Sequence, residues 1–222
     1  YKRFSRAKNF LQKNEIQNKT FEIDTLLDVD ITARLSSVHK VLYLVFTEGY
    51  LSSHDDMAIR EDLCQEAIRL TQLLTASKFG NVPESYALLA LMYFHLARLN
   101  ARQDDYGSLL LLEQQDRSQW NNSYITIAMD LLEKSAQGNN ISRYHIEAGI
   151  VAEHCMSPSF NKTNWEMIVT SYQLLNQISP SPLHTLNEAI AMAQWQGARA
   201  GLAVLQLINI PDWLDRSYHW YT

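Results

Sequence analysis

Glycine and proline are scarce in this chain, 7 and 5 among 222 residues, too few for the many tight turns of a strand-rich fold. Cysteine is almost absent. Cys64 and Cys155 lie far apart, each inside an apolar helical pattern, so each reads as a buried free thiol and not as half of a secreted disulfide framework. Charged residues are only 19% of the chain and apolar ones 46%, which excludes an intrinsically disordered polymer. Long hydrophobic runs are missing too. Val41 to Phe46 and Leu109 to Leu112 fall far short of the roughly 20 residues a membrane-spanning helix needs, and no signal-peptide pattern opens the sequence. No glycine-rich phosphate loop, GxSxG elbow or HExxH motif occurs. The expectation is a non-membrane, cytoplasmic chain without cofactor or metal, and not an enzyme.

What remains is helical. Tyr1 to Lys13 places Phe4, Ala7 and Leu11 on one stripe, and residues 14–30 are polar and read as a linker. Helical patterns then follow to the end. Ile31 to Tyr50 has Asp30 as a candidate N-cap and carries Leu35, Val38, Val41, Leu42, Val45 and Phe46 at helical spacing. Met57 to Ser77 is the cleanest amphipathic run, with Ile59, Leu63, Ala67, Leu70 and Leu74 on one side. Pro83 suits a helix first turn, and that helix is predicted to reach Asn100. A long connection covers 103–118. Further helices are predicted over 121–137, 142–156, 163–178, 182–195 and 198–208, with a last one after Pro211. No proline falls inside a helical run. The expected fold is all-α: stacked helical hairpins as a TPR-like α-solenoid, or a compact helical bundle. The small residues Ala189, Ala193, Gly197, Ala200 and Ala203 suit close helix approach of the tetratricopeptide kind.

Charge is uneven. Lys2, Arg3, Arg6, Lys8 and Lys13 precede any acid, leaving 14 of the 19 basic residues against all 24 acidic ones in the rest, a net charge of −10. The acidic body is unsuited to phosphate contacts, whereas the basic head suits them or is simply a solvated helix. A set of polar residues lies beside apolar faces: Glu48, Asp62, Glu66, Arg69, Arg98, Arg102, Asp116, Arg117 and Trp120. They are expected either to line a polar cleft for an acidic ligand or peptide or to form a buried salt-bridge network that ties the long connection onto the helices. His145, Glu153 and His154 share one helical run with Cys155. A zinc or small-molecule enzyme site there is one reading, and a surface acid beside a core histidine is the plainer one.

Five segments carry a family resemblance: LYLVFTEGY (42–50), DLCQEAIRLTQLL (62–74), LLALMYFHLARLNAR (88–102), LLEQQDRSQWN (111–121) and SPLHTLNEAIAMA (181–193). In type and order they resemble the TPR-like C-terminal extension of a group of bacterial extracytoplasmic-function sigma factors. RFSRAKNFLQ (3–12) resembles the tail of the helix that precedes that extension. The resemblance implies a fragment of a longer chain, as does the first residue, Tyr1. It further implies a regulatory, protein-interaction role in transcription initiation, and partners that are the other sigma regions, core RNA polymerase and an unidentified ligand. Promoter DNA would be met through regions mostly outside this chain, with Lys2, Arg3 and Arg6 at phosphates. The segment 143–148 departs from the family pattern at His145 and Glu147, which weakens any ligand site the resemblance would carry to it. A stand-alone α-solenoid adaptor is the alternative.

Overall fold

The computed structural model describes residues 28–52 and 57–208. The basic head with Lys2, Arg3 and Arg6, the first helix expected there, the linker as far as residue 27 and the helix expected after Pro211 lie outside the described residues. The chain divides into two units, residues 1–38 and 39–222, and the account below concerns the second, apart from the opening turns of one helix.

The described residues are all-helical, with eight α-helices: α1 Asp28–Tyr50, α2 Glu61–Ala76, α3 Pro83–Ala97, α4 Asn122–Ser135, α5 Arg143–Met156, α6 Trp165–Ile178, α7 Pro182–Gln196 and α8 Ala198–Leu205. Their starts follow local chemistry. Pro83 and Pro182 sit in the first turns of α3 and α7, where a missing N–H leaves nothing unbonded. The Asn121 side chain accepts from Tyr124 N–H at 3.1 Å and Asn164 from Met167 N–H at 3.2 Å, satisfying N-terminal donors of α4 and α6. At the start of α5, Ser142 N–H donates to His145 Nδ1 at 3.1 Å.

Two expected boundaries are corrected. Asp30 is not a cap, because α1 already includes Asp28 to Asp30, so the linker does not extend to residue 30. α2 starts at Glu61 instead of Met57. Before it, Ser52 N–H donates to Ala58 O at 2.9 Å and Arg60 N–H to Gly49 O at 2.7 Å. These bonds hold 57–60 as a non-helical strap against the end of α1. Gly49 permits the approach: a Cβ there would lie 2.7 Å from Cys64 N and 2.8 Å from Arg60 O.

α3 is apolar all round, and residues 85–94 are buried along its whole length, the signature of a central helix. It packs against α2, α4 and α5. Around it lie Leu42 and Phe46 of α1, Cys64 and Ile68 of α2, and Tyr144 and Val151 of α5. Full burial of side chains such as Leu88, Met92 and Phe94 contributes roughly 1.5–3 kcal/mol each. Val38 and Val41, expected on the buried stripe of α1, are exposed; the inward face passes through Leu42 and Phe46 instead. Beyond α5 the pattern changes. α5 packs on α6, α6 on α7 and α7 on α8, each helix against the next, as in stacked hairpins. A second core of Ile146, Ile150, Ile168, Val169, Leu175 and Ala191 fills this part. The α7–α8 crossing is close: a Cβ on Gly201 would stand 2.6 Å from both Ala189 O and Ala193 Cβ. The first part is therefore a bundle around a buried helix, and the second a stack of hairpins. Among the described residues, no helix is long and apolar enough to cross a membrane.

Candidate functional site

The nine expected cleft residues do not converge on one cleft. On the outer side of α2, Arg69 donates to both carboxylate oxygens of Glu66 at 2.8 Å, both residues exposed, while Asp62 accepts from Arg60 at 3.1 Å. Glu48 accepts from Ser52 Oγ at 3.2 Å. The Asp116 carboxylate is spent on its own turn, accepting from Ser118 N–H and Oγ at 2.9 and 2.7 Å, which holds it below the usual carboxylate range.

Two of the three arginines instead close helix ends. Arg102 donates to Tyr50 O at the end of α1, with its guanidinium 3.6 Å from the Tyr50 ring centroid. Arg117 donates to His154 O and Ser157 O at 2.6 and 2.9 Å, taking up carbonyls that the last turn of α5 leaves without intrahelical partners. Arg98 reaches Gln115 Oε1 at 3.3 Å. Trp120, buried, lies between Arg98 and Arg117, whose guanidinium carbons are 5.3 and 4.4 Å from its ring. These arginines tie the 102–121 connection onto the helices through carbonyl and amide oxygens, whereas the Arg69–Glu66 ion pair lies exposed on α2 and not in the buried salt-bridge network expected from sequence.

The histidine–acid group on α5 is also dispersed. His145 serves the start of the helix and His154 lies near its end, against the Trp165 ring at 5.5 Å. Burial, then Arg98 and Arg117, lowers His154 to about 3, leaving it neutral. Among the described residues, no three His, Cys, Asp or Glu side chains are placed to hold a metal ion. Cys64 is buried as expected, but Cys155 is only partly so. Burial pushes their thiols up to about 12 and about 11, the reverse of an activated nucleophile.

A different site emerges where α5 runs between the two cores. A cavity of about 560 Å³ opens there, within the range of small-molecule sites. One face of α5 supplies Arg143, Glu147, Ile150 and Val151; α1 supplies Tyr43, α3 His95, α6 Tyr172 and Leu175, and the turn into α7 supplies Ser181, Leu183 and His184. Arg143 Nε and Nη2 donate to Glu147 Oε1 at 3.0 and 2.6 Å. The guanidinium lies 4.7 Å from the Tyr43 ring centroid. His184 Nε2 faces the same Glu147 Oε1 at 3.9 Å, while its Nδ1 meets Ser179 O at 2.8 Å.

Burial sets the electrostatics. It raises the Glu147 carboxyl above its ordinary value in spite of Arg143 and Tyr43. Burial works against the charge of Arg143 as well, but Glu147, Tyr43 and Tyr144 together outweigh it and the guanidinium is raised. Burial, against the bond to Ser179, lowers His184, and burial raises Tyr172. The cavity thus offers a half-shielded ion pair, a neutral imidazole and apolar walls. Such a constellation suits recognition of a small polar headgroup on an apolar body.

Sequence reasoning missed this site. The one signal was the Arg143/Glu147 pair, four residues apart on a helix. Tyr43 and His184 are distant in sequence, and nothing local marks them as its neighbours.

A family of unknown function, DUF6596, matches residues 34–136. Over 178 residues the chain is 39% identical to an uncharacterized protein of Rhizobium meliloti (strain 1021), a match covering 80% of this chain and 42% of that protein. The chain therefore spans less than half the length of this relative. No solved structure matches it.

Proposed function

We propose that the chain is the regulatory, protein-interaction part of a longer cytoplasmic protein, an alternative sigma factor of the extracytoplasmic-function type. On this reading the helical body shifts the sigma factor between inactive and active arrangements. One observation carries it. The segments 42–50, 62–74, 88–102 and 111–121, whose types and order prompted the resemblance, interlock in space. Gly49 abuts Arg60 and Cys64, Arg102 closes the end of α1 at Tyr50, and Asn121 N–H donates to Ala97 O at 2.8 Å. They constitute one packed unit, as a common ancestry with that extension would require. The length of the Rhizobium meliloti relative is also compatible with further domains beside this one.

The test is reconstitution of the full-length protein with core RNA polymerase. The reading expects a stoichiometric complex that directs transcripts from a defined promoter. A full-length protein that neither binds core polymerase nor alters any transcript would favour a stand-alone helical adaptor.

A further inference from the structure

In the cavity beside α5, among the described residues, Glu147 Oε1 accepts from Arg143 alone, and the ring of His184 is bonded on one side only. Ser179 O can only accept, so the 2.8 Å contact assigns the ring proton of His184 to Nδ1. In the neutral imidazole, Nε2 is then a lone pair. It faces Glu147 Oε1, itself an acceptor, at 3.9 Å. Two acceptors so placed repel one another, and the gap is too long for a direct hydrogen bond. A single donor group with two or more hydrogens, about 2.9 Å from each, satisfies both. The surroundings favour a cationic donor. Glu147 is almost buried, yet Arg143 alone faces it with positive charge, and the Arg143 side chain remains 31% exposed. Burial, which disfavours its charge, keeps the Glu147 carboxyl above its ordinary value, and a cation placed against it offsets that penalty. One wall is apolar, formed by Ile150, Leu175 and Leu183 with the ring of Tyr172.

We propose that this cavity binds a small primary amine, its ammonium group bridging Glu147 Oε1 and His184 Nε2 and its alkyl or aryl body lying along the apolar wall. The inference stands on the cavity alone and does not need the transcription reading.

Phenethylamine is a suitable probe, titrated into the full chain while the imidazole signals of His184 and calorimetric heat are followed. The expected result is saturable binding with a shift of the His184 resonances. The N,N,N-trimethyl derivative, a cation of similar shape without N–H donors, should bind at least about tenfold more weakly, the equivalent of one good charge-assisted hydrogen bond. Glu147→Gln, which keeps size and removes charge, should weaken binding by about tenfold or more. His184→Phe, at the rim of the cavity, should do so separately and guards against a folding defect in the first variant. Asp130→Asn, on the exposed side of α4, should bind as the parent does. Absence of saturable binding at 10 mM phenethylamine (roughly 3 kcal/mol) would overturn the proposal. So would equal affinity for the trimethyl derivative, or folded Glu147→Gln and His184→Phe variants that bind as tightly as the parent.

Discussion

Arg143 donates twice to a single oxygen of Glu147, through Nε at 3.0 Å and Nη2 at 2.6 Å, four residues along the face of α5 that borders both cores. The pair is more than a surface ion pair, because the Glu147 side chain is only 13% exposed. Breaking it from either side leaves a poorly solvated charge. Glu147→Ala should therefore destabilise by about 2 kcal/mol, below the value for a fully buried pair because Arg143 is partly solvated. Replacing both, Arg143→Met with Glu147→Leu, should cost less than Glu147→Ala alone. Urea unfolding of the parent, Glu147→Ala and the double variant measures this, and a double variant at least as unstable as Glu147→Ala would contradict it.

His154 gives the protein a specific acid sensitivity. Its folded-state value, about 3, lies below the ordinary 6.5, so between those values the unfolded chain takes up a proton that the folded one refuses. Stability from this group is present above pH 6.5 and falls as pH drops toward 3, by about 1.4 kcal/mol per pH unit. His95, also held well below its ordinary value, chiefly by burial, acts in the same direction. His154→Phe should flatten the stability–pH curve between pH 6 and 4 by about one proton's worth. Unfolding at pH 7, 6, 5 and 4 reads the slope directly; an unchanged slope would mean His154 is protonated in the fold.

Gly49→Ala reverses the usual sign of a helical glycine replacement. Alanine in a helix is ordinarily favourable by about 0.5–1 kcal/mol. Here the added methyl meets backbone of Arg60 and Cys64 under 3 Å away, and the strap has no flexible end to yield. Destabilisation of about 1–3 kcal/mol is expected. Gly201→Ala should behave alike but locally, raising hydrogen exchange in α7 and α8 more than in α3.

How far the residues foretold this structure depends on the range of the forces involved. Helix starts set by Pro83, Asn121, Ser142 and Pro182 were legible, because the cap and its partner lie within one turn. The strap 57–60 was read as helix because Ile59 continues the apolar spacing of α2; only tertiary bonds from Arg60 to Gly49 and from Ser52 to Ala58 prevent it. Arg98, Arg102 and Arg117 were recognisable as charges beside apolar faces. Their partners, though, are a glutamine on the connection and carbonyls at the ends of α1 and α5, and no spacing rule reveals an acceptor so remote in sequence. The cavity had one local sign, Arg143 with Glu147. Its other polar walls arrive from α1 and α7 through the packing of the two cores.

Trp120 and Arg117 make the connection testable as a structural tie. Trp120→Ala removes a buried ring flanked by two guanidinium groups and should destabilise by about 3–5 kcal/mol. Arg117→Lys keeps the charge but presents it from a single nitrogen, so the flat guanidinium contact with Trp120 is lost and the caps on His154 O and Ser157 O weaken; about 1–2 kcal/mol is expected. Limited proteolysis should then cut the 102–121 connection before any helix. Variants that leave stability and cleavage unchanged would return these residues to the role of a ligand cleft.

The most direct measurement is promoter output in run-off transcription by the full-length protein with core RNA polymerase, with and without the segment from Ile31 onward. The account predicts that removing the segment changes output, the sign giving the direction of regulation. Unchanged output together with unchanged polymerase affinity would contradict it.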